Sequence, residues 1–255
     1  MKTQFDYSQL PLEALGQLGL ISRGKLRLSP VDIAALLTGR RTNLLGFENL
    51  KAEGIKIAHI QLRLSLKGSQ DGPVSLMLHP IYKRPLPHPL LEPFEADLMV
   101  DGDIDSLAKT FEKGERKGQT MVVEFDRDTR SFVSYNAKDV LVPISINGIV
   151  LDRQQSEDYR NGVGIDLGDG TLVQYRASEA IGLWANRQAL VLSFGDAASP
   201  MVLHGIGNFP SHQDPQLPHE TNAFLDALAE TKAESYTAQF SALDIAGTYD
   251  LGPKR

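Results

Sequence analysis

A leucine, a glycine eleven residues on and a second leucine five residues later occur in one frame three times in this chain. The triplets are Leu28, Gly39 and Leu44; Leu91, Gly102 and Leu107; and Leu151, Gly162 and Leu167. The glycines stand 63 and then 60 residues apart. In physical terms the frame describes a helix anchored by its first leucine and stopped by a glycine in the left-handed conformation. The chain then re-enters the core at the second leucine. Recurrence of one order of elements at a nearly fixed spacing is the mark of a repeat. The expectation is an α+β fold of three related helix-plus-β-hairpin units.

The segments around the frames fill in that picture. Residues 6–20, DYSQLPLEALGQLGL, carry Leu12, Leu15 and Leu18 at helical spacing and predict a short N-terminal helix with Pro11 in its first turn. LSPVDIAALLTGR predicts a second helix, capped by Ser29, opened by Pro30 and ended by Gly39. HIQLRLSL alternates strictly and pairs with VSLMLHPI across a turn holding Gly68, Asp71 and Gly72. YKRPLPHPLLEP carries four prolines and reads as an extended connector. A helix at LEPFEADLMVDG precedes the hairpin TMVVEF/SFVSY. A polar helix at LDRQQSEDYRNG precedes a third strand pair, TLVQYRA with QALVLSF. The predicted divisions are an N-terminal helical segment (1–24), unit 1 (25–88), unit 2 (89–147), unit 3 (148–195), a Pro/His-rich linker (196–220) and a C-terminal helical tail with a frayed end (221–255). In the tail, Phe224, Leu225, Leu228, Tyr236, Phe240 and Leu243 mark an apolar stripe.

Charge narrows the function classes. The net charge of the 255 residues is −6, which argues against a whole-protein electrostatic grip on nucleic acid. The imbalance is local: residues 1–128 carry 17 basic and 17 acidic side chains, and the remainder 9 and 15. There is no cysteine, so disulfides, thiolate metal sites and cysteine nucleophiles are excluded. The opening MKTQFDYSQL has no apolar core of a signal peptide, and no apolar run is long enough to span a bilayer. The expected location is cytoplasmic, with no membrane partner.

The run LLTGRRTNLL, followed by the hairpin and LHPIYKRP, resembles a bacterial domain of unknown function, the family numbered 4099. MVVEFDRDTRSFVSY and LDRQQSEDYRNGVGIDLGDGTLVQYRA resemble its repeating companion, the family numbered 3945, and DYSQLPLEALGQLGL resembles a piece that usually precedes both. The resemblance covers about residues 6–195. It implies a setting in conjugative or integrative mobile elements and carries no catalytic residues with it.

Individual motifs point away from catalysis. GIDLGDGT (164–171) is similar to a phosphate loop of actin-like ATPases, but such a fold needs a second acidic loop far downstream. An Asp169-Gly170 hairpin turn is the simpler reading. His79 and His88, or His212 and His219 with Glu220, lack the spacing of a metal site. Aspartates at 101, 103 and 105 lack the later glutamate of a calcium loop. No cofactor is expected. The binding candidates are basic: Arg40 and Arg41 at a helix end, and Lys83 and Arg84 after the first hairpin, with His79 and Tyr82 beside them. If exposed and within about 15 Å of one another, roughly two Debye lengths at physiological salt, they form a patch for phosphate or carboxylate. Trp184, read on the long loop of unit 3, is a candidate contact anchor or a core residue.

The first expectation for function is a non-enzymatic interaction or scaffold protein of a mobile genetic element, with a protein partner. The alternatives are a nucleic-acid-binding accessory protein acting through the local basic patch, and an element- or phage-encoded inhibitor that docks on a host defence enzyme.

Overall fold

The computed structural model describes residues 3–52, 55–68, 73–195, 200–209, 216–217 and 220–234. The predicted turn residues Asp71 and Gly72, the histidines 212 and 219, and the stripe residues Tyr236, Phe240 and Leu243 lie outside the described residues.

The chain is mixed helix and antiparallel sheet, an α+β fold. The predicted N-terminal helix is divided. A 3-10 turn at Tyr7–Gln9 is followed by α1 (Leu12–Gln17), because Pro11 drives Leu10 out of the helical region to ψ 129°. A two-stranded ribbon, β1 (Ile21–Ser22) and β2 (Lys25–Leu26), leads to α2 (Pro30–Leu37). Ser29 caps α2 by accepting a hydrogen bond from the Asp32 amide, and Pro30 fills the first turn, where its missing N–H costs nothing. Then come β3 (Leu45–Ala52), β4 (Ile55–Lys67) and β5 (Ser75–Pro80), an antiparallel meander in the order β3-β4-β5. Leu15 of α1, Leu36 of α2 and Leu62 and Leu64 of β4 share one core, so the N-terminal segment packs into unit 1.

The second stretch places α3 (Pro93–Asp101) before the meander β6 (Ser106–Thr110), β7 (Thr120–Asp126) and β8 (Ser131–Asn136), around Met99, Val123 and Phe125. A small ribbon follows, β9 (Ser145–Ile146) with β10 (Ile149–Val150). The third stretch places α4 (Arg153–Arg160) before β11 (Ile165–Asp166), β12 (Leu172–Tyr175) and β13 (Leu183–Ala185). Each of the three helices is thus followed by three strands rather than two. The first strand of each meander went unread because β3 and β6 mix apolar with charged residues and β11 is two residues long.

The expected pairing of TLVQYRA with QALVLSF does not occur. β12 pairs with β11 and β13, while β14 (Ala189–Ser193) joins a separate sheet in the order β10-β9-β14-β15. Its last strand, β15 (Met201–His204), lies inside the stretch read as a linker. Gln216 fastens that stretch further, donating to the carbonyls of Ala185, Arg187 and Ile206. α5 (Asn222–Glu234) closes the fold by burying Phe224 and Ala227 against Val191.

The three frame glycines, 39, 102 and 162, have φ of 75°, 88° and 66°. Leu28 and Leu151 are buried, and Leu91 is half-buried against the Met99 cluster. Gly162 is the most demanding of these positions: a Cβ there would stand 2.7 Å from the Tyr135 hydroxyl and 3.2 Å from Ser106 Oγ. Gly162→Ala should therefore cost at least about 1 kcal/mol in urea unfolding, from backbone strain alone. Gly164→Ala, two residues on with open space around it, should be near neutral. Equal midpoints for the two variants would refute this account of the helix stop.

Candidate functional site

The basic pair that ends α2 points inward. Arg41 is 3% exposed and reaches across to the turn between β7 and β8. Its Nη1 donates to Asp126 Oδ2 at 2.8 Å and to the hydroxyls of Thr129 and Ser131 at 2.9 Å each, and its Nη2 donates to the Phe132 carbonyl at 3.2 Å. Its amide donates to the Ala177 carbonyl. One residue thus ties three stretches of chain together. A planar guanidinium suits this because it presents several donors in a fixed fork.

Arg63 of β4, on the polar face of the alternating strand, is buried beside it. It donates to the Ser178 carbonyl, to the Thr42 carbonyl at 3.3 Å and to Asp128, with its Nε 3.5 Å from Asp126. Arg176, immediately after β12, completes the set. It donates to the carbonyls of Asp105 (2.7 Å) and Phe125 (3.1 Å), lies 3.6 Å from Glu124 and covers the Trp184 ring at 3.9 Å from its centroid. Glu124 in turn accepts from the Ser178 amide. Burial pushes the Asp126 carboxyl up, but the Arg63 and Arg41 guanidiniums outweigh it and hold its pKa below the ordinary value. Glu179, at the rim of the same network, is raised by burial, and Arg63 only partly offsets that.

This arrangement corrects the expected patch. Arg41 is a buried cross-link. Arg40 is half-buried, donates to the Ala180 carbonyl at 3.1 Å and packs against the backbone of Gly182. His79 is half-buried, with Nε2 2.8 Å from the Ser65 hydroxyl. Burial, and after it the Arg41 charge, lowers its pKa to about 4. Trp184 lies in β13 at 6% exposure, edge-on to Phe209, and is core rather than a loop-tip anchor. Only Lys83 and Arg84 are exposed, with Tyr82 half-buried behind them. The helix end and the strand exit do not form one surface, because the acids of the β7–β8 turn draw Arg41 inside. The overlooked signal was DRDTRS itself (126–131), whose acids and hydroxyls can serve a buried arginine.

Two further features have limited chemistry. GIDLGDGT forms the β11–β12 turn, where Asp166 and Asp169 each accept a backbone amide two residues on. A cleft of about 150 Å³ lies between the Asn147 turn, β14 and α5, lined by Asn147, Arg187, His204 and Thr221. Among the described residues no group of three histidines, aspartates or glutamates is placed to hold a metal ion, and no helix is long and apolar enough to cross a membrane.

Residues 5–89 match a family described as a protein of unknown function, DUF4099. The match bears out the N-terminal part of the resemblance. It takes in α1 to β5, Arg40, Arg41 and Arg63, and the connector with Lys83 and Arg84. No curated protein and no solved structure matches the chain.

Two outcomes follow from the junction. Arg41→Ala leaves buried Asp126 with Arg63 alone and removes the donor shared by Thr129 and Ser131, and should lower unfolding free energy by about 3 kcal/mol, the low end of the usual effect of removing one partner from a buried pair. A loss below about 1 kcal/mol would mean the side chain is not structural. His79 should make stability fall with acid. Its pKa is about 4 folded against 6.5 ordinarily, so its contribution is full above pH 6.5 and disappears as pH falls through about 4. The total is about 3 kcal/mol at most. Glu179 acts in the opposite sense, so the wild type is compared with His79→Gln. The variant should lose stability less steeply between pH 6.5 and 4, and parallel curves would exclude the histidine.

Proposed function

We propose that the chain is a non-enzymatic interaction module whose contact surface lies around the connector between the first two meanders. The observation that carries this reading is uncovered apolar surface. Of eleven large hydrophobic side chains exposed among the described residues, five fall between positions 77 and 94: Met77, Leu78, Ile81, Leu86 and Phe94. Phe94 and Leu86 are 64% and 56% exposed, while Trp184 and most large aliphatics are packed inside. Prolines 85, 87, 89 and 93 pre-set φ along this stretch, which lowers the entropy lost when a partner seats on it.

The reading also takes the three helix-plus-meander stretches as copies of one building block. The shared order of elements and the positive-φ glycine after each helix support it. The resemblance of the second and third stretches to the family numbered 3945 supports a role in a mobile element.

A photo-crosslinking amino acid placed at Phe94 or Leu86 should capture a discrete protein in the native host. The same group at Glu115, on the far β6–β7 turn, should not. Met77→Ser/Ile81→Ser should reduce the adduct without changing the melting temperature. Identical adducts from all three positions, or none from Phe94 and Leu86, would overturn the interaction reading.

A further inference from the structure

The turn 126–131 sorts its charges by side. Asp126, Thr129 and Ser131 face inward to Arg41, and Asp128 is engaged by Arg63. Arg127 and Arg130 remain outside, both exposed, and the paired Asp128 carboxylate is exposed between them. The Thr129 carbonyl accepts from the Tyr82 amide at 2.9 Å, which lays the start of the connector along this turn. Lys83 and Arg84, also exposed, therefore stand within two residues of that bond on one strand, as Arg127 and Arg130 do on the other. With consecutive Cα atoms 3.8 Å apart, each is no more than about 8 Å of chain from it. None of the four has an ion-pair partner among the described residues. Arg127 leans over Gly102, next to the exposed Asp101 and Asp103, and forms the rim. Lys83, Arg84 and Arg130 are the centre.

We infer that this ridge is a binding surface for the phosphate backbone of duplex DNA. Asp126 is buried and neutralised by Arg41 and Arg63, and the Asp128 carboxylate, 56% exposed, is ion-paired by Arg63 from below, so the free charges on the outer side of this turn of zero formal charge are Arg127 and Arg130. That local field is what a polyanion meets, despite the net charge of −6. The only aromatic residue in the two strands is Tyr82, half-buried, so the ridge offers no ring for stacking unpaired bases. Its chemistry is that of phosphate contacts without base reading, giving weak, sequence-independent, salt-sensitive binding. The ridge shares the connector with the apolar contact surface proposed above, but it rests on charge and on the β7–β8 turn, and its salt-dependent DNA readout stands or fails separately from protein crosslinking at Phe94 and Leu86.

The test is fluorescence anisotropy with a labelled duplex of mixed sequence, using the full chain. Three phosphate contacts predict a slope of about −3 for log K against log salt. Lys83→Glu/Arg84→Glu/Arg130→Asn should weaken binding by about tenfold or more and flatten that slope. Asparagine is chosen at 130 because the position has φ 54°, which asparagine tolerates. Lys113→Glu/Arg116→Glu/Lys117→Asn changes net charge equally on the distant β6–β7 turn and should bind as the wild type does. A single Arg84→Ala variant, measured alongside, should lower the slope by about 1. The inference is overturned if the wild type shows no binding at about 20 mM salt, where phosphate contacts are strongest. It is equally overturned if both triple variants lose binding alike, or if polyglutamate displaces the label as well as unlabelled duplex does, which would mark the ridge as a site for an acidic protein.

Discussion

The hydrogen bonds of Arg41 decide how the rest of the chain can be arranged. A guanidinium at 3% exposure is stable only if its charge and donors are met on the spot, and among the described residues no acid of its own meander does this. The partners come from the β7–β8 turn, 85 to 91 residues away, while the backbone amide of Arg41 donates to the Ala177 carbonyl. Arg63 makes the same demand on Asp128 and Ser178, and Arg176 on Glu124, Asp105 and Phe125. The four apolar clusters among the described residues are made largely of nearby sequence. What joins the first meander to the other two is mainly polar, directional and buried, while Val133 and Tyr135 of β8 also pack against the apolar core of the third stretch. The polar contacts add little net stability over a well-packed apolar interface, but they tolerate few alternative geometries. They fix how the three meanders sit against one another.

The same interactions explain where the charge of the first half goes. Sequence counting finds equal numbers of acids and bases in residues 1–128, which reads as a neutral surface. The structure buries Arg41 and Arg63 against Asp126 and Glu124 against Arg176, and leaves Lys83, Arg84 and Arg127 outside. Burial thus redistributes charge that composition averages away.

Legibility in the sequence followed the range of the interaction. Helix starts and stops depend on a few neighbouring residues, and Ser29, Pro30 and the glycines at 39, 102 and 162 did mark the ends of α2, α3 and α4. The strict alternation of β4 was equally plain, because one face is buried. Pairing was less legible. β14 carries an apolar run compatible with either neighbour, and its choice of β9 and β15 over β12 is a tertiary outcome. The basic candidates were read by proximity in the chain, which joined Arg41 to the wrong surface. Its true partners differ from it by about ninety positions, and no local pattern encodes that. Trp184 was misplaced for a related reason: the indole is covered by Arg176 and Phe209, one from just after the preceding strand and one from beyond β15.

The long reach of Arg63 also sets an order of events during synthesis. Its acceptor at Ser178 lies 115 residues downstream. At about 5–20 residues per second, on the order of ten seconds separate the emergence of the two from the ribosome. Until Asp126 and Asp128 emerge, a little over halfway through that interval, the first meander holds arginines whose neutralising partners have not yet been made. It can collapse on its leucines but cannot close its polar face, which stays hydrated until the third stretch arrives. Completion of this fold is therefore a late event on the nascent chain, and the final docking seals all three stretches together.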